Sequence, residues 1–171
     1  MNDNKIKAII LDFDHTLFNT DADRKVRKNC KVKDWDLIYS KIPEYRLYYG
    51  WREVFTIAKA NGIKIAIIST AKKELILRTL AHFQLDCDVI IGWQRCYQKP
   101  NPKLIDMALK KLQVSKNEVL SIGDSILDMQ MSVNGGVRFI GAIWDCEKEE
   151  SLAELQQGIT ISNPLEIIGI L

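Results

Sequence analysis

The feature that most constrains this chain is a short apolar run that ends abruptly in a pair of aspartates. Residues 5–20 read KIKAIILDFDHTLFNT, and five of the six positions from Ile6 to Leu11 are apolar. A nearly continuous apolar run of this length is typical of a strand buried on both faces of a parallel sheet. Asp12 and Asp14 follow at its carboxyl end, where open α/β sheets place their ligands.

Residues two apart in an extended chain point the same way, so the two carboxylates can face one small volume. They repel each other there unless a cation or a shared proton lies between them. The pair alone is equally compatible with two solvated aspartates at a strand end, one of them capping the next turn. The choice therefore depends on which residues the rest of the sequence brings to the same place.

The remaining sequence alternates apolar runs with helical patterns. Strands are predicted at 64–68, 89–91, 119–122 and 137–143, with an additional edge strand at 159–161. Helices are predicted at 51–61, around 75–83, at 103–112, from about 128 to the glycines at 135 and 136, and at 164–170. This alternation implies right-handed crossovers and an α/β fold with a doubly wound, Rossmann-like parallel sheet of about five strands. We expect a single domain over residues 1–171.

Composition excludes several classes of function. A net charge of +2 is too small to indicate a nucleic-acid partner. The apolar run after Met1–Lys7 is too short for a signal peptide or a membrane span, so no membrane partner is expected. The widely spaced cysteines predict reduced, mostly buried thiols in a cytoplasmic protein, neither disulfides nor zinc ligands. These are Cys30, Cys87, Cys96 and Cys146.

Residues 19–49 differ from the rest of the chain. They contain eight basic and five acidic residues, with interleaved aromatics that include Trp35, Tyr39 and Tyr48. We interpret the segment as a small, cap-like insertion of one or two short helices, or an ordered loop, beside the first strand. A purely connecting, solvated segment is the alternative.

Polar clusters follow four of the predicted elements. They are Asp12 with Asp14, Ser69 with Thr70, Lys99, and Asp124 with Asp128. Singly, each has an ordinary explanation: Ser69 as a helix N-cap, Lys99 as a surface lysine, and the later aspartates as caps of the following turn and helix. A parallel sheet, however, brings the carboxyl ends of its strands to one edge, so the clusters should meet.

Together these residue types suit phosphoryl transfer. A carboxylate can attack phosphorus and form an aspartyl-phosphate, which splits one difficult displacement into two easier ones. The phosphoryl oxygens carry negative charge that needs cations and hydrogen-bond donors. Lys99 offers a positive charge, Ser69 a hydroxyl group, and the aspartates the oxygen ligands that Mg²⁺ prefers.

The chain resembles the haloacid-dehalogenase-like phosphohydrolases, whose first motif, Asp-x-Asp-x-Thr, stands here as Asp12, Asp14 and Thr16. The resemblance implies that Asp12 is the nucleophile and a metal ligand. It implies that Asp14 is the general acid and base, with its backbone carbonyl on the Mg²⁺ ion. Thr16 is a supporting residue of the same motif.

The later motifs appear in the family's order. The resemblance implies that Ser69, with Thr70, binds phosphate, that Lys99 is the lysine of the third motif, and that Asp124 binds the metal. Ser125 and Asp128 are supporting residues of the fourth motif. Residues 99–102 and 123–125 are most similar to the phosphoglycolate-phosphatase-like branch. About thirty residues between the first and second motifs are too few for that branch's full cap, which predicts a reduced cap and an open site.

An open site suits a phosphorylated macromolecule, or a phosphorylated small molecule enclosed by a second copy in a homo-oligomer. We predict a Mg²⁺-dependent phosphatase acting on phosphate monoesters. Alternatives are a non-enzymatic, phosphate-accepting signalling or binding protein on a similar fold, and a 2-haloacid dehalogenase. A dehalogenase does not need Asp14, and a signalling receiver carries its phosphorylated aspartate on a separate strand.

Overall fold

A parallel sheet forms the centre of the computed structural model, which describes residues 5–29, 34–145 and 149–171. The strands are β1 (Ala8–Leu11), β2 (Phe18–Asn19), β3 (Arg46–Leu47), β4 (Lys64–Ile68), β5 (Val89–Ile91), β6 (Val119–Gly123), β7 (Arg138–Ala142) and β8 (Thr160–Ile161). Six of them form the main sheet in the order β5-β4-β1-β6-β7-β8, and every pairing in it is parallel. β1 is therefore central, between β4 and β6.

Helices cover both faces of this sheet. They are α1 (Asp21–Asn29), α2 (Trp35–Ser40), α3 (Trp51–Ala60), α4 (Lys73–His82), α5 (Lys103–Leu112), α6 (Ile126–Gly135) and α7 (Glu149–Leu155), with 3₁₀ turns at Ile42–Glu44, Lys116–Glu118 and Pro164–Gly169. In β1, Ile9 and Leu11 pack into the core on the α3 and α4 side, whereas Ala8 and Ile10 pack into the core on the α5 and α6 side. The nearly continuous apolar run thus reflects a strand with core on both faces.

The predicted fold class is confirmed, with three differences in detail. The edge strand is present as β8, so the sheet has six strands instead of about five. The final helix is a 3₁₀ helix capped by Asn163, whose side chain accepts a hydrogen bond from the backbone of Leu165. Helix α6 begins at Ile126, two residues before the predicted start, because Ser125 is its N-cap.

The segment 19–49 forms secondary structure in its described part. β2 and β3 pair antiparallel at its base, and α1 and α2 lie between them. Lys31 and Lys33, which contribute to its positive charge, lie outside the described residues. The description of this segment as a cap, and of residues 1–171 as one domain, stays a prediction.

Two further expectations concern the cysteines and the membrane. Cys87 and Cys96 are free thiols, the first half-buried and the second exposed, so the prediction of mostly buried thiols does not hold for this pair. Cys30 and Cys146 lie outside the described residues. Within the described ranges, no helix combines the length and hydropathy needed to cross a bilayer. A cytoplasmic location stays a prediction.

Candidate active site

Asp12 lies where the central strand ends. Its backbone N–H donates to the carbonyl of Ile122 on β6 at 3.0 Å, which continues the ladder by one residue beyond β1. Two hydrogen bonds fix the loop that follows. The carbonyl of Thr16 accepts them from the indole N–H groups of Trp51 at 2.8 Å and Trp144 at 3.2 Å. The Asp12 side chain is buried.

Lys99 is the cation of this site. Its ammonium group contacts the Asp12 carboxylate directly and lies 2.5 Å from Oδ1 of Asp128. Only 5% of the Lys99 side chain is exposed, so its interpretation as a surface lysine is wrong. Burial alone would lower the Lys99 pKa, but the charges of Asp12 and Asp128 outweigh it and raise that pKa.

Three carboxylates converge on this lysine. Asp12, Asp124 and Asp128 each bring one carboxylate oxygen to within 4.8 Å of the other two. Burial raises the pKa of Asp12 well above its usual range, with Asp128 and Asp124 adding to the shift and Lys99 opposing it. Burial and the charge of Asp128 likewise raise the pKa of Asp124 to about 6. The cluster therefore holds more negative charge than its lysine offsets.

This donor set fits a hard divalent cation. It offers several carboxylate oxygens in a buried space, and Mg²⁺ and Ca²⁺ both take oxygen ligands. Asp12 and Asp124 are in the cluster as predicted, and Asp128 joins it through its own carboxylate. In the part of the chain that the structure describes, the Asp14 carboxylate is not a member of this cluster. The assignment of the Asp14 backbone carbonyl to the metal stays a prediction.

Gly123 allows Asp128 to enter the cluster. A Cβ at Gly123 would lie 2.5 Å from the Asp128 Cβ and 2.6 Å from its Cγ, distances that a real side chain does not adopt. The Ser125 hydroxyl donates to the second oxygen of Asp128, and the Asp128 N–H donates back to the Ser125 Oγ at 3.3 Å. The alternative of Asp128 as a helix N-cap is therefore wrong, since Ser125 has that role. The Thr16 hydroxyl donates a hydrogen bond to Oδ1 of Asp124 at 2.9 Å.

Ser69 and Thr70 follow the neighbouring strand β4. The Ser69 backbone N–H donates to Ile91 at 3.0 Å, and the Ser69 Oγ accepts from the N–H of Ala71 at 3.0 Å. Ser69 is not the N-cap of α4, because Lys72 occupies that position. Ser69, Thr70 and Lys99 line one small cavity, in which Ser69 is buried and Thr70 is exposed.

Asp14 has a different environment from the one that the sequence predicted. Its two carboxylate oxygens accept a bidentate pair of hydrogen bonds from Arg27, at 2.7 and 3.2 Å, and Oδ1 also accepts from the Thr20 hydroxyl at 2.5 Å. Burial would raise the Asp14 pKa, but the charge and hydrogen bonds of Arg27 outweigh it, so the pKa is lowered. In this conformation the Asp14 carboxylate faces the insertion.

Arg27 is itself fixed by the insertion. Its Nε donates to Asp23 at 2.7 Å, one helical turn earlier on α1, and its Nη2 donates to the Thr20 hydroxyl at 2.7 Å. Asp23 is fully buried and also accepts a hydrogen bond from the Tyr45 hydroxyl. The Asp23–Arg27 spacing could have indicated a helical ion pair, but no sequence signal shows that Arg27 reaches Asp14.

A second contact that the sequence did not reveal involves His15. This residue has a φ of +61°, and its Nδ1 lies 2.9 Å from Asp145 Oδ2 in the loop after β7. The Tyr48 hydroxyl donates to the same carboxylate oxygen. Burial would lower the His15 pKa, but the hydrogen bond with Asp145 and its charge raise it. The contact joins the first motif to the loop that follows β7.

Comparison with known proteins identifies the family. The model of the haloacid dehalogenase-like hydrolase family matches residues 22–142, which is more than half of the chain and includes Ser69, Lys99 and Asp124. The chain belongs to the haloacid dehalogenase-like hydrolase family. The family predicted from the motifs is thus confirmed.

Individual relatives agree with this assignment. The chain is 29% identical over 126 residues to the pyrophosphatase PpaX of Listeria welshimeri, a match that covers 72% of this chain and 58% of that protein. It therefore spans little more than half the length of that relative. Among solved structures, a HAD-superfamily hydrolase from Ehrlichia chaffeensis has a TM-score of 0.74 at 22% identity, covering 97% of this chain and 96% of the other. A predicted phosphoglycolate phosphatase from Haemophilus somnus has a TM-score of 0.76 at 18% identity, with 96% and 97% covered. These structures share the fold.

Proposed function

We propose that this chain is a Mg²⁺-dependent phosphatase that hydrolyses phosphate monoesters through an aspartyl-phosphate on Asp12. The observation that carries the proposal is the position of Lys99, buried between Asp12 and Asp128 and lining one cavity with Ser69. Lys99 thus joins the candidate nucleophile, which it contacts, to the cavity that holds the Ser69 hydroxyl. Family membership and the pyrophosphatase named among the relatives support phosphorus as the reacting centre.

In the first step, an Asp12 oxygen attacks phosphorus while the bond to the leaving oxygen breaks, and Asp14 gives that oxygen a proton. In the second, Asp14 takes a proton from water, and the water oxygen attacks the phosphorus of the aspartyl-phosphate and releases Asp12. Lys99 and Ser69 bind the phosphoryl oxygens in both steps. Asp14 must turn away from Arg27 to do this, because the observed contacts occupy both of its oxygens.

The residues that would hold Mg²⁺ are Asp12 and Asp124, with the backbone carbonyl of Asp14 and with Asp128 in support. When bound, the ion offsets negative charge on the phosphoryl oxygens and on the carboxylates. The raised pKa values of Asp12 and Asp124 support this assignment, because they reflect carboxylates with too little positive charge nearby.

The same site distinguishes the alternatives. A 2-haloacid dehalogenase has no need of Asp14, and a phosphate-accepting switch has no need of a second aspartate that can activate water. The proposal includes a phosphorylated small molecule or a phosphorylated macromolecule as substrate, and a homo-oligomeric assembly.

The test is hydrolysis of p-nitrophenyl phosphate by the purified chain with Mg²⁺, beside the matched Asp12→Asn variant. We expect turnover by the wild type and none by the variant, which keeps the size of the side chain but loses the nucleophilic carboxylate. Equal hydrolysis by both proteins, or none by the wild type at any Mg²⁺ concentration, would contradict the proposal.

A further inference from the structure

Trp93, in the loop after β5, differs from the other tryptophans of the chain. Trp51 and Trp144 are neighbours, with 6.0 Å between their ring centroids, and Trp35 lies 5.9 Å from the ring of Tyr39. Among the residues that the structure describes, Trp93 has no neighbouring ring and no cation over its face. It is 51% exposed, so a large aromatic surface is open to solvent.

The backbone that carries Trp93 is fixed on the core. The Trp93 N–H donates to the carbonyl of Ala71 at 2.7 Å, in the loop between β4 and α4. Gly92 permits this close packing, because a Cβ there would lie 2.4 Å from the backbone nitrogen of Lys73. The Gln94 side chain donates to the Gly92 carbonyl at 3.2 Å. A ligand that covers the indole therefore meets a preorganised loop, and less entropy is lost on binding.

The exposed indole adjoins residues that the proposed function assigns to phosphate. Trp93 lines the same cavity as Ser69, Thr70 and Lys99, and Lys99 in turn contacts Asp12. The cavity has a volume of about 10 Å³, which is room for about one water molecule and not for a ring. A phosphate that binds Ser69 and Lys99 therefore has the indole beside it, and the organic group of the ester can lie on the indole face outside the cavity.

We propose that Trp93 is a specificity-determining residue on which a planar aromatic ring of the substrate stacks. The inference rests on the proposed function, and it makes the preferred substrates phosphate esters with an aromatic ring close to the ester oxygen. Tyr97 lines the same cavity, but the ammonium group of Lys103 lies 5.1 Å from the centroid of its ring. Trp93 thus offers the open face, and an aromatic pair contributes about three- to tenfold in affinity beyond the area that it buries.

The experiment compares benzyl phosphate with cyclohexylmethyl phosphate. Both esters release a primary alcohol with the same number of carbon atoms, and only the first has a planar aromatic ring. With Mg²⁺ present, we expect the wild type to have a kcat/KM at least about threefold higher for benzyl phosphate, mostly through KM. A surface that recognised only apolar area would favour the cyclohexylmethyl ester, because its saturated ring is the larger. Hydrolysis of p-nitrophenyl phosphate reports whether the protein is a phosphatase at all.

Three variants of Trp93 separate stacking from simple apolar contact. Trp93→Ala and Trp93→Leu should both lose the preference for benzyl phosphate, since leucine keeps an apolar side chain but has no aromatic face. Trp93→Phe should retain part of the preference. The control is Val133→Ala, which removes an exposed apolar side chain of α6 that does not line the cavity, and it should behave as the wild type. If Trp93→Ala does not fold, the leucine and phenylalanine variants decide the matter.

The outcomes separate the two proposals. Hydrolysis of p-nitrophenyl phosphate with no preference for benzyl phosphate in the wild type overturns only the role of Trp93. An unchanged preference in a folded Trp93→Ala or Trp93→Leu variant, or an equal loss in Val133→Ala, does so too. Sedimentation velocity that shows a smaller assembly for Trp93→Ala than for the wild type also overturns it, because a second copy then covers the indole. No hydrolysis of any ester by the wild type overturns the proposed function and this inference with it.

Discussion

Replacement of Lys99 by alanine should destabilise the protein in a way that depends on pH. The side chain is 5% exposed and contacts Asp12 and Asp128, so its removal leaves a buried carboxylate cluster without its cation. Breaking a buried pair by removing one partner costs about 3–5 kcal/mol. In a chain of 171 residues this corresponds to a fall in Tm of roughly 6–20 °C.

The pH dependence follows from the raised pKa values of the cluster. The folded pKa of Asp124 is about 6 against an ordinary 3.8, and that of Asp12 is also raised. Folding therefore favours the protonated forms, and stability is lost as pH rises from about 4 through 6. Without Lys99 the repulsion among the ionised carboxylates is greater, so the gap between variant and wild type should widen from pH 5 to pH 7.5.

The assay is thermal unfolding in chelator at both pH values, with Lys103→Ala, an exposed lysine at the start of α5, as the control. Turnover of the Lys99 variant should also fall ~10²–10³-fold, the usual effect of losing one electrostatic stabiliser. A Tm equal to the wild type, or a larger loss at pH 5 than at pH 7.5, would refute the reasoning about the buried cluster.

Two other predictions concern the metal and the close packing of Gly123, at the end of β6, against the Asp128 side chain. Chelation should abolish turnover and Mg²⁺ restore it, and Mg²⁺ should raise Tm more at pH 7.5 than at pH 5, because Asp124, with its pKa raised to about 6, binds protons in competition with the ion. Full activity in excess chelator would contradict this. Gly123→Ala should cost about 1–3 kcal/mol in urea unfolding and lower turnover, because the new Cβ would lie 2.5 Å from the Cβ of a cluster aspartate. Gly169→Ala, with nothing within 4 Å, is its control, and equal stability of the two variants would contradict the packing argument.

The sheet could be predicted from the sequence because its signals are local. The apolar run at Ile6–Leu11 and the runs at Lys64–Ile68 and Val89–Ile91 each carry the pattern of a buried strand, and the strands appear there. The convergence of Asp12, Lys99 and Asp124 followed from topology, because parallel strands end at one edge. The two-residue strand β8 carries little pattern, and it is the strand by which the sheet exceeds the predicted five.

The side-chain partners at the edge of the site could not be predicted. Arg27 reaches Asp14 from helix α1, and the charge of the segment gave no indication of which arginine would make this contact. The contact between His15 and Asp145 joins residues 130 positions apart and depends on a loop conformation. Such contacts result from tertiary packing, and the sequence pattern does not predict them.

The most direct test of the central claim is a search for phosphate on Asp12. Asp14→Asn should still be phosphorylated by p-nitrophenyl phosphate, whose leaving group needs little protonation, but the intermediate should hydrolyse slowly, since general acid–base catalysis is worth ~10²–10⁴-fold. After a rapid acid quench, mass spectrometry should locate the phosphate on the peptide that contains Asp12. The Asp12→Asn variant should carry none. Phosphate on another residue, or normal turnover by Asp14→Asn, would contradict the assignment of the two aspartates.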